Sequence, residues 1–305
     1  MPELPDITLY VEALAKRVEG TTLESVRVHG PALLRSVDPP LAAAEGRRVV
    51  GVRRLGKRVV LGLEGELFLI LHLMIAGRLH WSGAGGSRGR ARPLARFEFS
   101  SGTLTLTEAG TRKRAALHAV QGEAALAQHD PGGLEVLGAS PEEFRARLAA
   151  ASHTLKRALT DPRILSGIGN AYSDEILHRA RLSPVKLAGK LTEAEHARLF
   201  AAAQTTLQGW TERLRAETGD RFPERVTAFR DGMAVHGRYR EPCPVCGAPV
   251  QRIVFAAHET NYCAPCQTQG RLLADRALSR LLHKDWPRTL EELEERRSPR
   301  PGADP

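Results

Sequence analysis

The stretch Leu-Ser-Gly-Ile-Gly-Asn-Ala-Tyr-Ser-Asp-Glu-Ile-Leu occupies residues 165–177, in the C-terminal half of the chain. Its Gly-Ile-Gly portion allows another backbone to approach closely, and the residues after it continue as a helix. The N–H groups at the start of that helix can bind a phosphate, with Asn170 adding a side-chain donor. A glycine-containing turn between two helices, without any ligand, also explains the glycines alone. The stretch predicts a turn and a helix, with Asn170 as a candidate phosphate contact.

Two capping boxes predict the helices on either side of this stretch. Ser-Pro-Glu-Glu at 140–143 combines a serine cap, a proline at the first helical position and a glutamate that returns to the cap. Thr-Glu-Ala-Glu at 192–195 repeats the box and opens a long helix towards Glu217. Together with the glycine turn, these helices predict a helical domain over residues 140–235.

Cysteines occur further along the chain, in two Cys-x-x-Cys pairs. The sequence has four of them, with sixteen residues between the pairs: Cys243, Cys246, Cys263 and Cys266. This spacing is typical of a zinc ribbon, in which four thiolates complete the tetrahedron of one structural Zn²⁺ ion. Two disulfides are the alternative, but no secretory context supports them. We therefore predict a zinc finger at residues 236–270, with a β-hairpin built from Val250, Ile253, Val254 and Phe255.

Residues 1–125 predict an antiparallel β-sandwich with a helix beside it. The helix has Pro5 in its first turn, stops at Gly20 and carries apolar residues on one face: Ile7, Tyr10, Val11, Leu14 and Val18. Short alternating runs after it predict strands: Val49–Val52, Arg58–Leu61, Leu67–Leu79, Arg96–Phe99 and Thr103–Thr107. A loop-like composition places a linker at residues 126–139. The fold class is therefore α+β.

The first residues of the chain combine a potential nucleophile with an acid. Met1 is normally removed before a small residue, which would leave Pro2 with a secondary amine that can attack a carbonyl carbon such as C1′ of an opened sugar. Glu3 is placed to act as an acid or base. The positive helix start disfavours a protonated amine and favours phosphate. An ordinary proline-containing helix start would contain the same residues.

The charge balance indicates a polyanionic partner. Lysine and arginine number 44 against 35 aspartate and glutamate, a formal net charge of +9. This excess suits nucleic acid better than a small neutral substrate, although codon bias towards arginine would also produce it. No apolar run approaches the length of a membrane span, and no cleavable signal precedes Pro2. We expect a cytosolic protein without a membrane partner.

These motifs together resemble the formamidopyrimidine-DNA glycosylase and endonuclease VIII family. The resemblance rests on Met-Pro-Glu-Leu-Pro at residues 1–5, on Lys57, on the stretch at 165–177 and on the four cysteines. It implies that residues 140–235 form a helix–two-turn–helix DNA-binding domain. It also implies a bifunctional DNA glycosylase and abasic-site lyase of base excision repair, which removes oxidised bases through an iminium on the N-terminal proline. The implied partner is double-stranded DNA that contains damaged bases or abasic sites, bound by a monomer.

The resemblance also implies roles for individual residues. Pro2 would attack C1′, Glu3 would move protons, and Lys57 would hold a phosphate beside the lesion from a tight connection between two strands. Asn170 matches the phosphate-binding asparagine of the family, and Lys156 falls near the DNA. Without the resemblance, a lone lysine in a turn such as Lys57 would be an ordinary solvated residue.

The sequence departs from the family where side chains enter the DNA. Ile75 stands where the family has a methionine wedge, and residues 108–114 replace Asp-Pro-Arg-Arg-Phe-Gly without an aromatic residue. Arg112 and Arg114 keep that loop cationic, so it can still hold the opposite strand. His258 replaces an arginine at the finger tip, and we expect a weaker, pH-dependent phosphate contact from it. These changes leave open a protein that binds damaged or branched DNA with little or no base excision.

Three smaller expectations concern the remaining segments. Leucines at helical spacing in residues 271–296 predict a helical extension that packs on the body or binds a partner, with a further cap at Thr289. Residues 297–305 should be disordered, and the Gly- and Arg-rich run at 81–93 should be a mobile loop.

An RNA-binding protein is a third, weaker functional class, because similar helical and zinc modules occur on ribosomes. An RNA-binding function would not explain a proline at the start of the first helix.

Overall fold

The computed structural model describes residues 1–83, 92–109, 111–224, 226–255, 258–274 and 286–297. The chain divides into two compact units. The first combines Met1–Glu135 with Leu207–Ala228, and the second combines Val136–Thr206 with Phe229–Pro305. The first division falls inside the expected linker. The segment Leu207–Ala228 groups with the first unit, whereas the sequence pattern assigns it to the helical domain.

The described strands of the first unit form the predicted antiparallel β-sandwich. They are β1 Thr22–Val28, β2 Arg47–Leu55, β3 Arg58–Leu63, β4 Leu67–His72, β5 Gly77–Gly83, β6 Ala95–Phe99, β7 Gly102–Glu108 and β8 Ala116–Gln121. Their order is β5-β7-β6-β1-β2-β3-β4-β8. The two layers of the sandwich join where β1 pairs with β2, at Thr22 and Leu23. Side chains from both layers fill one core. Strand β8 and helix α2, Glu123–Ala127, extend the unit beyond the last predicted strand.

Helix α1, Leu4–Val18, packs on the core of the sandwich. Four residues of its predicted apolar face are fully buried: Ile7, Tyr10, Leu14 and Val18. Pro5 lies in the first turn, and Gly20 follows the helix with a φ of 79°. Other residues are strained at this φ, so glycine is suited to the position just after the helix. The prediction of this helix and of its ends is confirmed.

One strand prediction is wrong. The run Leu67–Leu79 is not one strand but contains β4 and the start of β5, which are separated by five strands in the sheet order. The chain reverses between them, with Met74 at a φ of 52°. A Cβ on Gly77 would lie 2.3 Å from the carbonyl oxygen of Leu73, so the reversal requires glycine there. The continuous apolar run hides this turn, because both strands are buried.

Helices dominate the second unit before the zinc finger. They are α3 Pro141–Ala149, α4 Leu155–Thr160, α5 Asn170–Ala180 and the part of α6, Glu193–Thr218, up to Thr206. Both predicted capping boxes are present. Ser140 accepts the N–H of Glu143, and Thr192 Oγ1 accepts the N–H of Glu195 over 3.3 Å. Each glutamate carboxylate accepts the backbone N–H of its cap in return, which satisfies groups that the helix cannot.

The zinc-finger region forms the predicted hairpin, followed by short helices. Strands β9, Gln251–Phe255, and β10, His258–Tyr262, pair antiparallel, and α7 spans Ala264–Thr268. The predicted cap at Thr289 opens α8, Leu290–Arg297. The extension packs on the finger through Leu290 and Leu293, in a cluster with Tyr262 and Leu272. No described helix is long and apolar enough to cross a membrane.

Some expectations fall outside the described part of the structure. They concern three leucines of the expected helical extension, most of the loop at 81–93, and the tail after Arg297. The leucines are Leu278, Leu281 and Leu282. His258 begins β10, but its side chain is also outside the described part. Its expected phosphate contact therefore stays a prediction.

Candidate functional site

The N-terminus of the chain is buried at the start of α1. Pro2 is buried, and Glu3 is only 2% exposed. Glu3 and Asp6 form a capping box, in which each carboxylate accepts the backbone N–H of the other residue; the Glu3 N–H reaches Asp6 Oδ2 over 2.9 Å. The positive partial charge of the helix start stabilises both carboxylates. Local structure thus holds the Glu3 carboxylate next to the chain terminus.

The terminal amine of Met1 lies among four charged side chains. Burial lowers the pKa of this amine below its usual value, and the charges of Arg78 and Lys57 act in the same direction. The carboxylates of Glu3 and Asp6 oppose the shift without cancelling it. A lowered pKa increases the neutral fraction near neutral pH, and the neutral amine is the nucleophilic form. The environment therefore favours a reactive amine at this end of the chain.

Lys57 occupies the tight turn between β2 and β3, where the sequence places it. Gly56 before it has a φ of 58°, as the first central residue of a type II′ hairpin turn requires. Lys57 is half-buried instead of solvated. Burial lowers the pKa of its ammonium, and the charge of Glu3 raises it. The structure thus brings together Lys57, Glu3 and the terminal amine.

The sequence motifs do not single out the basic residues beside Lys57. Arg58 and His72 are paired across β3 and β4. Burial, followed by the charges of Arg58, Lys57 and His118, lowers the pKa of His72 to about 4. His72 is therefore neutral at neutral pH, although cations surround it. Only the strand register could have revealed this cluster, because His72 and His118 are far from Lys57 and Arg58 in the sequence.

Ile75 stands at the tip of the reversal between β4 and β5. Its side chain is 51% exposed, which is unusual for a large aliphatic residue. Arg78 braces the reversal, because its Nη1 donates to the carbonyl oxygens of Gly77 over 2.7 Å and of Ile75 over 3.4 Å. The first unit therefore presents an aliphatic side chain on a braced turn.

Glu108 organises the loop that carries Arg112 and Arg114. Its buried carboxylate accepts the backbone N–H of Arg114 at 3.0 and 2.9 Å, and that of Ala115 at 3.1 Å. Lys113 Nζ donates to the Glu108 carbonyl oxygen over 2.5 Å. Arg112 and Arg114 are exposed. The loop thus holds two cationic side chains at the surface on a backbone that a buried carboxylate fixes.

In the second unit, Lys156 and Asn170 lie close together and have intramolecular partners. Lys156 Nζ donates to the Asn170 carbonyl oxygen over 2.8 Å and to Asp174 Oδ1 over 2.6 Å. The Lys156 side chain is 14% exposed, and that of Asp174 is fully buried. Asn170 Nδ2 donates to the Glu259 carbonyl oxygen over 2.8 Å. An amide nitrogen carries two N–H donors, so this bond leaves a second N–H for a ligand.

Two neighbouring acids of α5 hold the segment after Phe229. Asp174 Oδ2 lies 2.8 Å from His236 Nδ1, and the Glu175 carboxylate accepts three backbone N–H groups at 2.7 to 2.9 Å: those of Ala234, Val235 and His236. Phe229 is 69% exposed and stacks on His236, with ring centroids 5.5 Å apart and an interplanar angle of 16°. The carboxylates of α5 therefore position an aromatic pair that the sequence pattern does not predict.

The four cysteine sulfurs converge at the base of the zinc finger. Cys243 Sγ and Cys266 Sγ are 4.0 Å apart, and Cys246 Sγ and Cys263 Sγ are 3.4 Å apart. A Zn–S bond of about 2.3 Å in tetrahedral geometry places sulfur atoms roughly 3.8 Å apart, close to both separations. The donor set fits one structural Zn²⁺ ion, as the spacing predicts. His178 Nε2 lies 3.3 Å from Cys243 Sγ, a neighbour that the spacing could not reveal.

Comparison with protein families matches three successive parts of the chain. The formamidopyrimidine-DNA glycosylase N-terminal domain matches residues 1–117, and the H2TH domain of the same glycosylase matches residues 137–218. A zinc finger found in FPG and IleRS matches residues 240–269. These matches cover the sandwich, most of the helical region and the finger.

Individual relatives match over most of the chain. The formamidopyrimidine-DNA glycosylase of Thermus thermophilus is 36% identical over 279 residues, which cover 88% of this chain and 100% of the relative. The crystal structure of the MutM (Fpg) protein from Thermus thermophilus superposes with a TM-score of 0.73 at 32% identity, over 87% of this chain and 98% of the other. A complex of the LlFpg protein with a THF-DNA and an inhibitor gives a TM-score of 0.77 at 24% identity, over 88% and 100%. At that identity the last similarity concerns the fold alone.

Proposed function

Because the chain belongs to the formamidopyrimidine-DNA glycosylase family, we propose that it removes oxidised bases from double-stranded DNA and cleaves the resulting abasic site. One observation carries the proposal. The terminal amine has a lowered pKa and lies beside the buried carboxylate of Glu3 and the ammonium of Lys57. These are the groups that amine attack and proton transfer at a sugar require.

The proposed nucleophile is the amine of Pro2 after removal of Met1. Its nitrogen bonds to C1′, and the bond between C1′ and the base breaks, so that the base leaves with the electron pair and takes up a proton. The nitrogen loses its proton, the sugar ring opens, and an iminium joins Pro2 to C1′. We expect the groups that lower the pKa of the Met1 amine to act on the Pro2 amine in the same direction, since the two nitrogens belong to adjacent residues.

Glu3 is the proposed proton carrier for these steps. Its capping box with Asp6 fixes the carboxylate, and Lys57 compensates its charge. After base loss, a proton leaves C2′ and the bond between C3′ and its oxygen breaks, which releases the phosphate with the electron pair. Water then frees Pro2 from the sugar. Positioned general acid–base groups of this kind contribute about 10²- to 10⁴-fold to a rate.

Phosphate contacts are proposed for Lys57 in the first unit and for Asn170 in the second. Asn170 begins α5, where the helix dipole favours an anion, and its amide retains one N–H beyond its bond to Glu259. Lys156 binds the Asn170 carbonyl oxygen and Asp174, so we assign it the role of positioning Asn170. His258 would add a pH-dependent contact.

Ile75, Arg112 and Arg114 are the proposed contacts with the strands around the extruded base. Ile75 can fill the gap with aliphatic surface, and the arginines can hold the opposite backbone. We also expect the protein to act as a monomer, associated with DNA in the cytosol.

A second candidate is a binder of damaged or branched DNA that has lyase activity only, or no base excision. The loop at 108–114 favours it, because no aromatic residue there can stack into the gap left by the base. Such a protein would depend on sites that are already destabilised.

Borohydride trapping distinguishes these functions. Reduction of the iminium should join the protein covalently to DNA, both for a panel of oxidised bases and for a preformed abasic site. Pro2→Gly should trap only in part, and a chain that retains Met1 should not trap. Glu3→Gln should block trapping on an intact oxidised base and keep more of it on the abasic site.

The two substrates give three distinct results. Trapping on both supports the glycosylase, and trapping on the abasic site alone supports the second candidate with lyase activity. If the wild-type protein binds both DNAs tightly but traps neither, the enzymatic proposal is wrong.

A further inference from the structure

The zinc site has more suitable donors than a tetrahedral ion requires. His178 lies on α5 and is buried, and its Nε2 atom is 3.3 Å from Cys243 Sγ. The donor atoms of His178, Cys243, Cys263 and Cys266 all lie within 4.8 Å of one another. This set of three sulfurs and one nitrogen leaves out Cys246. Two overlapping sets of four donors therefore share the same three sulfurs.

The four cysteines differ in their exposure to solvent. Cys243 and Cys263 are buried, Cys266 is half-buried, and Cys246 is exposed. The N–H of Cys263 donates to Gln267 Oε1 over 2.9 Å, and that of Cys243 donates to the Ala248 carbonyl oxygen over 2.9 Å. The three sulfurs common to both sets thus include the two buried ones. Cys246, on the solvent side, is the one cysteine outside the donor set that contains His178.

We propose that His178 is a reserve ligand of the zinc site. With four thiolates on the ion, Nε2–H would donate a hydrogen bond to Cys243 Sγ and stabilise the negative charge on that sulfur. When Cys246 is absent or blocked, His178 binds Zn²⁺ through Nε2 with its proton on Nδ1, in a three-cysteine, one-histidine site. Both ligand sets are common for structural zinc.

The separations fit both arrangements. A Zn–N bond of about 2.0 Å and a Zn–S bond of about 2.3 Å put nitrogen and sulfur roughly 3.5 Å apart in a tetrahedron. The observed 3.3 Å between Nε2 and Cys243 Sγ is close to this value and is also a normal N–H···S separation. The observed separation is therefore compatible with both ligand sets without a rearrangement of α5.

Metal binding by the full-length Cys246→Ala variant tests the proposal. We expect about one Zn²⁺ per chain, and X-ray absorption should show one imidazole and three sulfurs, where the wild type shows four sulfurs. Cys246→Ala combined with His178→Phe should bind zinc at least tenfold more weakly than Cys246→Ala. His178→Phe alone should retain four sulfurs, because it removes only an outer hydrogen bond.

Cys263→Ala is the matched control, since His178 and Cys246 do not belong to one close donor set. It should lose zinc whether or not His178 is present. A second measurement uses the folded wild-type protein: alkylation of the exposed Cys246 thiolate by iodoacetamide, with loss of iodide, should leave zinc bound in the wild type and release it from His178→Phe.

Either of two results overturns the proposal. One is an absorption spectrum of Cys246→Ala without imidazole, and the other is equal zinc affinity of Cys246→Ala with and without His178. Equal zinc release from the alkylated wild type and His178→Phe would also contradict it. None of these measurements depends on DNA or on catalysis, so they are independent of the proposed glycosylase function.

Discussion

Lys156 and Asp174 form an ion pair in the second unit, with Lys156 Nζ 2.6 Å from Asp174 Oδ1. Asp174 is fully buried and also contacts His236. Side chains of the protein therefore replace water as the partners of its carboxylate. The DNA contact that the resemblance implies for Lys156 stays a prediction, and the structure adds contacts of this lysine within the protein. The ammonium of Lys156 balances the charge of the Asp174 carboxylate. It also donates a hydrogen bond to the Asn170 carbonyl oxygen.

Lys156→Met should therefore reduce stability more than it reduces DNA binding. Removing one partner of a buried pair costs about 3 kcal/mol or more, and the partial exposure of Lys156 favours the lower end. Urea unfolding should show this loss, and adding Asp174→Asn should restore part of it. Lys156→Met with normal stability but a reduced salt dependence of DNA binding would show that the lysine leaves Asp174 to contact phosphate.

Lys57 should behave differently, because its proposed partner is the DNA backbone. Lys57→Met should weaken binding to all sequences alike and reduce the slope of log affinity against log salt by about 0.9. Fluorescence anisotropy at several salt concentrations measures this slope, with Lys156→Met as the matched comparison. A loss confined to particular base sequences would contradict a phosphate contact.

The charges around the terminal amine predict opposite shifts in pH dependence. Lys57 lowers the pKa of the Met1 amine and Glu3 raises it, and we expect the same directions for the Pro2 amine that removal of Met1 creates. The rate of trapping on a preformed abasic site should rise with pH as the amine loses its proton. Relative to the wild type, the rise should move to higher pH in Lys57→Met and to lower pH in Glu3→Gln. Shifts in the same direction in both variants would show that these charges do not act on the nucleophile.

His72 predicts a loss of stability in mild acid. Its pKa is lowered from 6.5 to about 4 in the folded protein, so between these values the unfolded chain binds more protons. Stability should fall as pH decreases through this window, by at most about 3 kcal/mol for this residue. Urea unfolding at pH 7.5 and pH 4.5 should show a smaller difference in His72→Gln than in the wild type. Equal differences would mean that the pKa of His72 is the same in the folded and unfolded protein.

Ile75 should affect base extrusion but not the chemistry on an exposed sugar. Ile75→Ala removes most of an aliphatic side chain whose burial contributes about 1.5–3 kcal/mol. We expect a loss of roughly 10- to 100-fold in excision from an intact duplex and little change on a preformed abasic site. Ile75→Met serves as the control of similar size. An equal loss of Ile75→Ala on both substrates would contradict a wedge function.

Zinc removal should weaken DNA binding through Asn170. The carbonyl oxygen that holds its amide belongs to Glu259 on β10, a strand of the zinc finger. A chelator should remove about one zinc per chain, unfold the hairpin and release this amide. Anisotropy and elemental analysis follow the two effects together, with zinc added back as the control. Unchanged DNA affinity in fully metal-free protein would contradict the link.

Features that depend on local spacing follow from the sequence alone. The capping boxes, the apolar face of α1, the Gly-Ile-Gly turn before Asn170 and the pairs of cysteines each lie within a short segment. In such a segment backbone geometry dictates which residues meet. The position of Lys57 in a tight turn follows in the same way, from Gly56 between two strand runs.

Only the tertiary structure decides which distant residues meet. It places Arg78 and Lys57 around the terminal amine, pairs Lys156 with Asp174, and puts His178 beside Cys243. It also divides the run Leu67–Leu79 into two strands, because a positive φ at Met74 and the glycine at position 77 allow a reversal inside continuous apolar sequence. Strand register and helix packing bring these groups together, and neither is encoded in the spacing of any single segment.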